Sequence, residues 1–129
     1  MLEELFKMAR EVNDKINQFE LGIISNLKKI EDLKEESEKI KQEMEKIKEK
    51  YMETLKAYTG FKDLQEKELK ILLKNDKIYQ ELKEKLNKIE KEIKNTTLIN
   101  KQLEANIRYK REVLDLLKLE IKSLTKEND

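Results

Sequence analysis

Apolar residues return every seven positions through most of this chain, and that spacing limits what it can fold into. With Leu2 at heptad position a, the a positions through residue 58 are Leu2, Ala9, Ile16, Ile23, Ile30, Ser37, Met44, Tyr51 and Tyr58. The d positions are Leu5, Val12, Phe19, Asn26, Leu33, Ile40, Ile47 and Thr54. Fourteen of these seventeen residues are apolar or Tyr and none is charged, although 44% of the chain is Asp, Glu, Lys or Arg. A repeat of this kind draws one apolar seam along a helix. Disorder, the other outcome open to so charged a chain, goes with apolar residues that lack a period. At 1.5 Å per residue, a helix over 2–58 is about 85 Å long. Near its start Phe6, Met8, Ile24 and Leu27 widen the seam, so this end has surface for more than one neighbouring helix.

The first punctuation is Tyr58-Thr59-Gly60. Gly60 suits the left-handed conformation that closes many helices, and Asp63 suits the first turn of the next. A second series follows, with a positions Leu72, Tyr79, Leu86, Ile93, Asn100, Ile107, Leu114 and Ile121. Its d positions are Asn75, Leu82, Ile89, Thr96, Leu103, Lys110, Leu117 and Leu124, and twelve of these sixteen residues are apolar or Tyr. Within Lys74-Asn75-Asp76-Lys77, Asn75 is able to end one helix and Asp76 to cap another. The expected fold is all-α: a long antiparallel, coiled-coil-like helical hairpin forming a single domain over 1–129. Arm one covers 2–58, a turn 59–60, a short helix or kinked lead-in 61–73, and arm two 77–125. After Ile99 the apolar face, with Val113, Leu114, Leu116, Leu117, Leu119, Ile121 and Leu124, exceeds what one partner helix covers. The surplus calls for a third helix, a second copy of the chain as a homodimer, or a client.

Composition removes most site chemistry. The 129 residues include no His and no Cys, so disulfides, the usual zinc sites, a thiol nucleophile and an imidazole base are excluded. Two glycines are too few for the Gly-rich phosphate loops. The carboxylates number 28, so some stand one helical turn apart by arithmetic alone. They lie beside lysines at solvated heptad positions, without the cleft that separates the pKa values of a catalytic pair. The expectation is a protein that is not an enzyme and uses no cofactor or metal. With 29 basic against 28 acidic residues interleaved along the chain, no basic block exists to release counterions from phosphates, which argues against nucleic-acid binding. The amphipathic start Met1-Leu2-Glu3-Glu4-Leu5-Phe6-Lys7 has no apolar core of a signal peptide, and no run is apolar enough for membrane insertion. A cytoplasmic location is expected.

Polar residues interrupt the seam at Asn26, Ser37, Thr54, Thr96 and Asn100. They either fix register and partner or mark where the seam opens to another chain. Lys110 at a d position either snorkels to the edge or marks a stretch not seated as a coiled coil; the widening apolar face there favours the second. In Ile107-Arg108-Tyr109-Lys110-Arg111 the register turns Tyr109 away from the seam. An outward Tyr among arginines is either an ordinary exposed Tyr or a docking surface.

The segment 95–117, NTTLINKQLEANIRYKREVLDLL, resembles the C-terminal helix of FlgN-type flagellar export chaperones. There an Asn-containing stretch leads into a Leu-rich helix with an aromatic residue and a closing Leu-Leu pair. The matching positions are Asn95, Asn100, Leu103, Ile107, Tyr109, Leu114, Leu116 and Leu117. The resemblance covers about a fifth of the chain. It implies a cytosolic chaperone of flagellar type III secretion that binds hook–filament junction proteins, prevents their premature assembly and presents them to the export apparatus. On this reading Leu103, Ile107, Leu114, Leu117 and Ile121 are client-binding contacts, and Tyr109 and Arg111 are docking residues. The rival is a structural coiled-coil scaffold or another soluble secretion-system rod of the FliJ type, for which the seam leaves no spare apolar face. A prefoldin-like holdase needs β-hairpins between its arms, and 57–63 is too short for them.

Overall fold

A computed structural model describes residues 1–127 of the chain. They form three α-helices: α1 (Leu2–Tyr58), α2 (Lys62–Asn75) and α3 (Lys77–Glu127). The fold is all-α, and no strand occurs among the described residues. The chain divides into two compact units. One combines residues 1–30 with the described residues from 95 onward, and the other is residues 31–94.

In the first unit, the start of α1 lies antiparallel to the end of α3. Glu20 contacts Arg111 and Asn26 contacts Asn100, so one helix descends as the other climbs. The core holds Ile16, Ile30, Ile107 and Leu117, together with Thr96 and Asn100. Every a and d residue of α3 from Thr96 to Leu124 is buried or half-buried, so the heptad seam faces α1 throughout. The polar break is closed from both sides. The Asn26 Nδ2 amide donates to Asn100 Oδ1 at 2.9 Å, and Asn100 Nδ2 donates to the Ile23 carbonyl at 3.4 Å. Among the described residues no buried side-chain nitrogen or oxygen lacks a partner. Lys110 sits in register and half-buried at its d position, beside a shallow cleft lined by Met8, Val12, Gln18, Glu11 and Asp14. The expectation that the helix leaves its coiled-coil seat there is thus corrected. The rim of that cleft carries Glu11, Asp14 and Lys15.

The second unit contains the rest of α1, all of α2 and the first part of α3. Its buried apolar residues are Ile40, Leu55, Leu73, Tyr79 and Ile89, with Ser37 and Gln65 buried beside them. At the end of α1 the burial leaves the heptad: Thr54 and Tyr58 are exposed and Leu55 is buried in their place. A 3.6-residue helix drifts against a 3.5-residue repeat unless it supercoils, and here the inward face has moved on by one residue. The turn also differs from expectation, because no glycine has positive φ, so Gly60 does not close α1 in the left-handed conformation. Side chains close it instead. The Gln65 amide donates to the Thr59 carbonyl at 2.7 Å and the Phe61 N–H to Thr59 Oγ1 at 3.2 Å. The chain then enters α2 through an extended Phe61.

Asp76 alone separates α2 from α3, and it serves both. Its N–H donates to the Leu73 carbonyl, which also accepts the Gln80 side-chain amide at 2.9 Å. Its Oδ1 accepts the Tyr79 N–H at 2.7 Å, the bond of an N-cap. Its Oδ2 accepts the Tyr51 hydroxyl from α1. The Tyr51 bond, then the Tyr79 and Ile78 N–H groups, hold the Asp76 carboxyl below its ordinary value. The same bond, then burial and the Asp76 charge, push the Tyr51 phenol up.

Candidate protein-binding face

The five residues expected to meet a client all lie on the inner side of α3. Ile107 and Leu117 are buried, at 6% and 8% exposure, and Leu103, Leu114 and Ile121 are half-buried. A methyl added at Gly22 of α1 would stand 3.5 Å from Leu103 Cδ1, so α1 already occupies that side. These residues build the seam of the first unit, and a client reaches them only by displacing α1.

The expected docking pair is not brought together either. Tyr109 is outward and 64% exposed. Arg111, two residues on, points to another side of the helix and donates to Glu20 Oε1 at 2.8 Å. Both partners of that ion pair are largely solvated, so it contributes under about 1 kcal/mol and serves mainly to tie α3 to α1.

Exposure and charge together mark a different face. From residue 95 to residue 119, the eleven residues at heptad positions c, f and g include one charge, Glu112. The b and e positions from 97 to 118 carry six charges in seven residues. Earlier in the same helix, c, f and g from 77 to 92 carry seven in eight. The outer face of α3 therefore changes character where the helix enters the first unit. Leu98 and Ile99 are each 49% exposed, Leu116 67% and Leu119 64%, with Tyr109 between them and Val113 half-buried at their edge. Counting a and d positions alone misses this stripe, because its members lie outside the seam. The usable signal was the disappearance of Lys and Glu from the helix back. On α1, residues 16–27 carry a single charge, Glu20, and expose Leu21, Ile24 and Leu27. Large exposed apolar patches on proteins in water commonly mark interaction sites.

No group of three or more acidic residues is placed to hold a metal ion among the described residues. Nor, among them, is any helix long and apolar enough to cross a membrane. No protein-family model, curated protein or solved structure matches this chain.

Proposed function

We propose that this chain is a non-enzymatic helical binding protein that takes an amphipathic helical segment of a partner on the outer face of α3. The observation that carries this reading is the exposed stripe from Leu98 to Leu119, with Glu112 as its one charge, on a helix whose inner side is already filled. A client helix laid along it meets Leu and Tyr side chains in place of the lysine and glutamate heads found elsewhere on the helix back. A segment that orders only when bound loses conformational entropy, which keeps the complex releasable. The resemblance of 95–117 supports the particular role. The chain is a cytoplasmic chaperone of flagellar type III secretion that holds hook–filament junction proteins and hands them to the export apparatus. Its work needs no cofactor, nucleic acid or membrane insertion. The client contacts move from Leu103, Ile107, Leu114, Leu117 and Ile121 to the opposite side of the same helix, and Tyr109 keeps its docking role.

The satisfied Asn26–Asn100 pair favours a second reading, a fixed rod that serves as a scaffold of the FliJ type. Calorimetric titration of the chain with purified junction-protein tails separates the two. The chaperone reading expects saturable binding that Leu116→Asp abolishes while the protein stays helical. Absence of binding to any junction tail contradicts the flagellar role. Binding unaffected by Leu116→Asp contradicts the face.

A further inference from the structure

The outer stripe of α3 is complementary to itself when reversed. We infer that, without a client, two copies of this chain pair through it as an antiparallel, two-fold dimer. The support lies in what each residue meets when a second α3 is laid head to tail against the first, with residue numbers across the pair adding to 214. Leu98 then lies against Leu116 of the second copy, and Leu116 against its Leu98. Ala105, the small residue of the stripe, stands opposite Tyr109 and leaves room for the ring. Gln102 faces Glu112, so the one carboxylate of the stripe accepts an amide N–H. Because the operation is a two-fold, each of these contacts occurs twice.

The flanks agree with the same register. On the charged b side, Lys101 of one copy comes beside Asp115 of the other, with the same pair repeated across the axis. Arg108 meets its own copy near the axis, and Glu112 one turn along each helix offsets the two positive charges. On the uncharged g side, Ile99 comes beside Val113, and Asn106 lies against Asn106 of the second copy, where two amides are able to donate and accept in turn. Sliding the register by one heptad, to a sum of 221, places Leu98 against Ser123 and Tyr109 against Glu112, which loses both Leu98–Leu116 pairs. Opposite charges at the edges with like apolar residues between them are what fixes orientation in paired helices. Residues 77–94, with their charged back, offer no continuation, so the contact is confined to the first unit.

This inference concerns the free chain and does not depend on the flagellar role. The test uses the full chain without a client. Sedimentation equilibrium over a range of concentrations should give twice 15.6 kDa at the upper end, and Leu116→Asp should return the mass to one chain with helicity retained. Because the chain has no cysteine, single introduced cysteines report the register. Asn106→Cys should form a disulfide between chains, while Leu98→Cys and Leu119→Cys should not, since each lies far from its own copy in the antiparallel arrangement. A monomer at every concentration overturns the inference. So does cross-linking at 98 and 119 as efficient as at 106, which would mean parallel or unregistered pairing. A parent chain that is monomeric at every concentration yet binds junction tails would leave the proposed function standing, and a parent chain that dimerises but binds no tail would leave the dimer standing.

Discussion

At the scale of single residues, a few polar side chains decide the alignment of a helix pair whose apolar residues are interchangeable. Asn26 and Asn100 are bonded to each other inside the first unit, so losing one strands the other. Asn26→Leu should therefore lower stability by about 1–2 kcal/mol, seen as a lower urea midpoint. Converting both to Leu should recover that loss but relax the register, as apolar layers accept more than one alignment. Tyr51 and Asp76 give a second residue-scale expectation, in the second unit. Asp76 has a lowered pKa, so its contribution is complete above the ordinary carboxylate range and is lost as pH falls through the lowered value. Tyr51 has a raised pKa, so its contribution is present below the ordinary phenol value and is lost as pH rises through the raised one. Thermal melts across pH should show both limbs. Tyr51→Phe should shrink both, and unchanged limbs would mean that the bond contributes nothing in solution.

At the scale of elements, the helix breaks have different causes and should respond differently to mutation. Asp76 caps α3 and also accepts Tyr51, so Asp76→Ala should lower the melting temperature of the chain. Gly60 adopts no conformation that requires glycine, and a Cβ there meets nothing within 4 Å. Gly60→Ala should thus raise stability by a few tenths to about 1 kcal/mol by restricting the unfolded chain, and a clear loss would show that Gly60 visits left-handed geometry in solution. The heptads foreshadowed α1 and α3 because only a helix gathers residues spaced by three and four onto one charge-free side of so charged a chain. Asn75-Asp76 was legible as a break because an Asp before a helix supplies its own cap. Gln65 closing α1 was not legible, since a Gln in a helix is ordinarily solvated and only the turn at Thr59 gives its amide a carbonyl to reach. Nor was the exposure of Tyr58, because the heptad count carries no information on where the inward face drifts off.

At the scale of the whole molecule, α3 carries two apolar faces that differ in exposure. The inner face holds Ile107 and Leu117 in the seam, and the outer one leaves Leu116 and Leu119 to solvent. Neighbours in sequence therefore differ in kind, and the excess of apolar residues after Ile99 divides between the two. The sequence made the excess visible but not the division, since both faces are written in leucine and isoleucine. The most direct test is the thermal melt of Ile107→Asp beside that of Leu116→Asp, both in dilute solution where the chain is monomeric. Ile107→Asp should lose about 4 kcal/mol through a buried unpaired charge, whereas Leu116→Asp should stay within about 0.5 kcal/mol of the parent. Equal melting of the two variants, or greater damage from Leu116→Asp, would contradict the assignment of the inner face to the fold and the outer face to a partner.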